Sequence, residues 1–214
     1  MTENNEFIIL IVIMNNLQIV QKIQDLSAKQ GGVITTKEIE LIVGKKYRQS
    51  YYQLIRKIEK AGILRKYIRG VYVTQSFDPY VLFEKINPDS YISFEEVLSK
   101  EGMIGTGSKH QIRGVRLGRT RVYNNLGLRL EYVGSQKDQF FGYTTKNGIS
   151  MAEPEKAFLD CAYYYLRGMK LVFDIYSDVN ITNLDENKIK KYLQRYKNPK
   201  FTVFLKKLYE GYQK

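Results

Sequence analysis

Histidine and cysteine are almost absent from this chain. One cysteine, Cys161, and one histidine, His110, stand among 214 residues. A lone cysteine excludes an internal disulfide and a four-cysteine zinc site, and a lone histidine excludes a His-rich metal site. Both facts favour a reducing, cytoplasmic setting. Acidic residues are scarce as well: 22 Asp and Glu face 34 Lys and Arg, a formal net charge of +12. That imbalance points to a nucleic acid or an acidic protein as partner and says nothing of the fold. Long apolar runs are missing too. The most apolar stretch, Phe7 to Met14, has eight residues (FIILIVIM), against the roughly 20 that a membrane-spanning helix needs. No basic residue precedes it and no small-residue cleavage site follows it, so neither a signal peptide nor a membrane partner is expected.

Catalytic signatures are equally lacking. There is no phosphate-cradling P-loop and no dinucleotide fingerprint after a strand. A Ser-His-Asp or Cys-His pair would have to recruit His110, which has no partner motif and reads as a surface residue. Glu153, Glu155 and Lys156 do not fit the acid-x-Lys spacing of a metal-dependent nuclease, because Glu155 and Lys156 are adjacent. They read instead as the start of a helix at Pro154. The sequence therefore calls for no catalytic residue, no cofactor and no metal.

What is present is a chain long enough for one large or two small domains, with 43% hydrophobic residues and no low-complexity tract. Three segments are expected: an apolar extension over 1–16, a first domain over 17–76 and a second over 77–214. The extension reads as a strand for the body or another chain, as a partner-binding arm, or as translation upstream of a start at Met14.

The first domain carries the sharpest pattern. Leu17, Val20, Ile23 and Leu26 recur at helical spacing over Leu17 to Gln30, and Gly31-Gly32 ends that helix. Thr35 lies three residues before Glu38, a capping box opening a second helix with Ile39, Ile42 and Val43 inward. After a basic turn at Gly44 to Arg48, a third helix opens at Gln49 or Ser50 and runs to about Ala61. Tyr51, Leu54, Ile55, Ile58 and Ala61 share one side of it; Gln49, Tyr52, Gln53, Arg56 and Lys60 share the other. Ile63 to Ile68 and Val71 to Val73 then read as two strands around an Arg69-Gly70 turn. Helix, helix, helix, hairpin is the order of a winged helix-turn-helix.

Gln and Arg side chains match the edges of adenine and guanine in the major groove, and basic residues on a wing hold phosphates. The candidate DNA-binding residues are therefore Lys45, Lys46, Arg48, Gln49, Ser50, Tyr52, Gln53, Arg56 and Lys60, with Lys66, Tyr67 and Arg69 on the wing.

Ser76 to Pro88 reads as a linker with a short helix at Val81 to Ile86. Beyond it, Ser93 and Glu96 show capping-box spacing again. From Gln111 to Tyr143 the apolar period becomes two, giving four strands of a mainly antiparallel sheet with a hairpin at Asn124-Asn125 and Gly127. Ile149 to Met151 adds a short strand. The fold class expected is α+β. Lys109, Arg113, Arg116, Arg119, Arg121 and Arg129 form a second basic surface, which reads as a nucleic-acid contact, a patch for an acidic protein or a solvated sheet face. Pro154 suits the first turn of the next helix, Glu153 and Glu155 its positive dipole end, and Lys156 and Asp160 pair at i, i+4. Cys161 falls on its buried stripe. Helices at about Asp185 to Tyr196 and Pro199 to Tyr212 close the chain.

Three blocks together resemble a family. They are GGVITTKE at 31–38 leading to LRKYIRGVY at 64–72, PDSYISFE at 88–95, and MAEPEKAFLD at 151–160. Their order and spacing look like the AbiEi-type antitoxins of type IV toxin–antitoxin (abortive infection, phage defence) systems. The resemblance implies a winged-helix domain binding inverted repeats of double-stranded promoter DNA as an autorepressor, and a C-terminal domain countering a nucleotidyltransferase toxin. The family also includes stand-alone transcriptional regulators. A protein-interaction module without specific DNA binding and an RNA-facing role are the rival readings.

Overall fold

The computed structural model describes residues 17–44, 48–108 and 110–212, without the side chains of residues 48–50. The apolar run at Phe7 to Met14, and Lys45, Lys46 and Lys109, lie outside the described residues. The chain is α+β and divides into two compact units, one ending at Ile86 and the other starting at Asn87.

In the first unit, residues 17–29 are helical (α1). Strand β1 (Val33–Thr35), helices α2 (Thr36–Val43) and α3 (Arg48–Lys60), strands β2 (Arg65–Ile68) and β3 (Val71–Val73) and helix α4 (Pro79–Ile86) follow. Ile23, Ile39, Val43, Tyr51, Leu54, Ile55 and Ile58 interlock as the core between α1, α2 and α3. Each such side chain contributes about 1.5–3 kcal/mol on burial. Leu17, assigned to that face by its spacing, is exposed, as is Ala61, which lies past the end of α3. The link at Val33 and Ile34 is a strand in its own right: β1 pairs antiparallel with β3, so the hairpin becomes a sheet of order β1-β3-β2.

Gly31-Gly32 does more than end α1. Thr74 N donates to Gly32 O at 2.8 Å and Asp78 N to Gly31 O at 2.7 Å. A Cβ on Gly32 would lie 2.4 Å from Ser76 O, so a glycine is required by close approach as well as by its φ of +77°. The expected linker is largely helix α4, which packs against β1 and β3 of this unit. The boundary consequently falls after Ile86 rather than after residue 76.

The second unit has strand β4 (Ser90–Ile92), helix α5 (Glu95–Lys100) and strands β5 (Gln111–Leu117), β6 (Arg121–Asn125), β7 (Leu128–Ser135), β8 (Tyr143–Lys146) and β9 (Ile149–Ala152). Helices α6 (Pro154–Leu166), α7 (Glu186–Leu193) and α8 (Pro199–Tyr212) complete it. The sheet has six strands in the order β6-β7-β5-β4-β9-β8. It is mixed, which corrects the mainly antiparallel expectation. Strand β7 inserts between β5 and β6 and runs parallel to β5 over Gln111 to Leu117, and β4 pairs parallel with β9. Period-two patterning reports which face is buried, and it is identical for either strand direction.

Two tight turns share one geometry, with Asn-Gly at the centre of the β8–β9 turn but Leu-Gly at the centre of the β6–β7 turn. The β6–β7 turn has Leu126 at φ 50° and Gly127 at φ 76°, and the β8–β9 turn has Asn147 at φ 51° and Gly148 at φ 77°. Positive φ at both central residues is the type I′ geometry that Asn-Gly favours.

The core of this unit joins Tyr91, Phe94, Val115 and Val133 to one face of α6 (Phe158, Leu159, Cys161 and Ala162) and to Phe201, Leu205 and Leu208 of α8. Cys161 is fully buried, and burial pushes its thiol well above the usual value. Helix α6 starts at Pro154 as expected. Its Lys156–Asp160 pair forms, but inside the core rather than on the surface, with Lys156 0% exposed. The Ser93 and Glu96 capping box does not form. Phe94 is the N-cap of α5 at φ 60° without a side-chain cap. The Ser93 hydroxyl instead donates to Asp160 Oδ2 at 2.8 Å.

Candidate nucleic-acid interface

Helix α3 is amphipathic in the strict sense its sequence predicts. Tyr51, Leu54, Ile55 and Ile58 are buried, while Tyr52 (67% exposed), Gln53, Arg56, Lys57 and Lys60 face solvent. Tyr51 anchors the helix, donating its hydroxyl to Thr36 O at 3.1 Å, and Tyr52 lies edge-on to the Tyr51 ring with centroids 5.2 Å apart. Burial pushes the Tyr51 phenol up to about 12, so it remains a donor at all ordinary pH. Among the described residues, no carboxylate lies within ion-pair distance of Arg56, Lys57, Lys60 or Arg69. Glu59, the one acid of α3, is half-buried; an exposed face otherwise of one charge sign, beside exposed amide and phenol groups, suits a polyanion that also offers hydrogen-bonding edges.

The start of α2 is fixed by a polar node. Thr35 N and Oγ1 donate to Glu38 Oε2 at 2.7 and 2.8 Å, and Glu38 N donates back to Thr35 Oγ1 at 3.3 Å. Lys85 of α4 closes on the same carboxylate at 2.8 Å and donates to Val33 O at 3.1 Å and to Gln30. Burial alone would raise the Glu38 carboxyl, but the hydrogen bonds from Lys85 and Thr35 outweigh it and hold it below its ordinary value.

The hairpin presents only part of its expected residue set to solvent. Lys66 and Arg69 are exposed. Tyr67 is 2% exposed and drops out of the surface set. Tyr67 sits at a bulge in β2, between Lys66 paired with Tyr72 and Ile68 paired with Val71, and is turned inward there. Arg65, a basic residue of this segment outside the candidate DNA-binding set, donates to Thr74 O and Gln75 O at 3.4 and 3.1 Å and braces the strand ends. Arg48, Gln49 and Ser50 are placed in the first turn of α3 by its backbone.

The second basic surface separates into unlike members. Arg113 is a buried structural cation, 2.5 Å from Glu95 and 3.3 Å from Glu131, with its guanidinium 5.8 Å from the Phe94 ring centroid. Burial still raises the Glu95 carboxyl despite that partner. Arg116 is half-buried and donates to Arg119 O at 3.3 Å, and Arg129 shares Glu131 at 3.4 Å. Arg119 and Arg121 are exposed, as is His110. Strand alternation splits the set again: Arg113 pairs in register with Glu131, whereas Arg121 pairs with Tyr132 of the opposite face. Among the described residues, no group of three or more His, Cys, Asp or Glu is arranged to hold a metal ion, and no helix is long and apolar enough to cross a membrane.

Comparison with known proteins agrees with the resemblance read from the sequence. Residues 21–75 match the family described as transcriptional regulator, AbiEi antitoxin. The match contains the first of the three sequence blocks and the exposed face of α3. No curated protein matches the chain. Among solved structures, the Rv2827c protein from Mycobacterium tuberculosis superposes with a TM-score of 0.61 at 12% identity, covering 91% of this chain and 77% of that one. At that identity the likeness is one of fold.

Proposed function

We propose, from the premise that residues 21–75 match the AbiEi antitoxin family of transcriptional regulators, that this chain is a sequence-specific DNA-binding repressor of its own promoter. In this reading residues 17–76 act as a winged helix-turn-helix. Helix α3 enters the major groove, with Gln53 and Arg56 reading base edges and Tyr52 and Lys60 on the flanking backbone or a thymine methyl. Arg69 and Lys66 at the hairpin turn hold phosphates. The observation that carries the reading is the exposed, basic face of α3, whose one acid, Glu59, is half-buried at its edge, over a buried opposite face. The larger second unit supplies the antitoxin function, countering a nucleotidyltransferase toxin encoded beside it in a cytoplasm.

Gel shifts with duplex DNA from upstream of the gene test the DNA-binding part. Arg56→Ala and Gln53→Ala should each lower operator affinity by about 1–3 kcal/mol and relax specificity at the positions they read. If no sequence outcompetes random duplex, the repressor reading fails. Co-expression with the neighbouring gene's product tests the antitoxin part separately, since α3 variants should retain full protection.

A further inference from the structure

A concave groove lies in the second unit, between β7 and the end of α6. Its volume is about 510 Å³, the size of a small-molecule site. One wall is β7 with the turn at 118–120; the other is the end of α6 and the loop after it. Four cations line it: Arg113, Arg129, Arg167 and Lys170. Only two carboxylates answer them among the described residues, Glu131 and, behind Arg113, Glu95. Arg167 has a phenol for a partner, Tyr163 Oη at 2.9 Å.

Both walls are held rigid. The loop after α6 is closed by Gly168 N to Tyr165 O and Met169 N to Tyr164 O, each 2.9 Å, with Gly168 at φ +88°. The facing turn is pinned by Gly118 N to Ser135 O at 3.0 Å and Gly134 N to Thr120 Oγ1 at 2.9 Å. A Cβ on Gly134 would lie 2.2 Å from Gly118 O, so this close approach needs glycine. Tyr164 Oη donates to Gly134 O at 2.9 Å and ties the two walls together.

The negative end of the α6 dipole accounts for cations at Arg167 and Lys170. It does not account for Arg129, which reaches the same groove from β7 with its side chain 41% exposed. We infer that this groove binds a small organic phosphate. An excess of two positive charges matches a phosphate monoester dianion, and the space beyond it, floored by Val133, Tyr164 and Met169, fits an organic body. Pre-fixed walls bind without the entropy cost of ordering loops.

Titration calorimetry of the full chain with AMP, inorganic pyrophosphate and adenosine tests this at near-physiological salt. Saturable binding of AMP, absent for adenosine, is expected. Arg167→Gln and Lys170→Gln should each weaken AMP by about tenfold, as loss of a charge-assisted contact does, while the thermal melt of Lys170→Gln stays unchanged because that side chain is exposed. Arg56→Ala on α3 should leave AMP binding intact, which separates this site from the DNA reading. No saturable AMP binding by the unsubstituted chain, equal binding of adenosine, or AMP binding indifferent to both substitutions would overturn it. Absence of AMP binding together with oligonucleotide binding that is weakened by Arg167→Gln and Lys170→Gln would overturn it in favour of a polynucleotide surface at the groove.

Discussion

Lys156 is the residue whose environment departs furthest from its chemistry. Its ammonium is buried with Asp160 out of reach of solvent, donates to Tyr196 Oη at 3.0 Å and lies 4.9 Å from the Phe141 ring centroid. Burial pushes the lysine down and the Asp160 carboxyl up, so each partner depends on the other to remain charged. Lys156→Met should therefore cost about 3–5 kcal/mol, because it leaves a buried carboxylate unpaired. Adding Asp160→Asn should recover part of that loss, since an amide still accepts from Ser93 and Tyr91. Urea unfolding of both variants measures it. A single-variant cost near zero would mean that Asp160 is already protonated. The i, i+4 spacing made the pair legible in the sequence. Its depth was not, because spacing along one helix carries no information about what packs over that face.

At the level of elements, the start of α2 is where local sequence and tertiary contact meet. Thr35 and Glu38 declare the capping box in four residues, and Lys85 completes it from α4. The pH dependence follows from the lowered Glu38 carboxyl. Its folded value lies below the ordinary 4.5, so its contribution is present above about pH 4.5 and is lost as pH falls through the folded value. Glu38→Gln should cost about 1–2 kcal/mol at neutral pH and flatten stability across the acid limb. Chemical denaturation at neutral and acid pH checks both, and an unchanged acid limb would remove Glu38 from the account. Helix α3 was legible almost whole, since its 3.6-residue periodicity fixes both faces at once. The hairpin was legible as a hairpin, but the addition of β1 to its sheet was not. A strand of three residues, Val33–Thr35, is too short to show a period.

For the whole molecule, a net charge of +12 makes any nucleic-acid contact strongly dependent on salt. Lys66→Ala should weaken binding to operator and random duplex alike and reduce the salt slope by about one counterion. Affinities taken across a salt series by fluorescence anisotropy give that slope. A loss confined to the operator would make Lys66 a base-reading residue instead. By itself the sequence determined what local pattern can encode: the basic balance, the capped and amphipathic helices, the exposed face of α3 and the β6–β7 hairpin turn. Only the tertiary structure decided that β7 lies parallel between β5 and β6, that Tyr67 and Arg113 leave the surface, and that Arg129 meets Arg167 and Lys170 across one groove. The reason is physical. Periodicity and turn chemistry act between residues a few positions apart, whereas strand order and the meeting of distant cations are set by which apolar faces pack together.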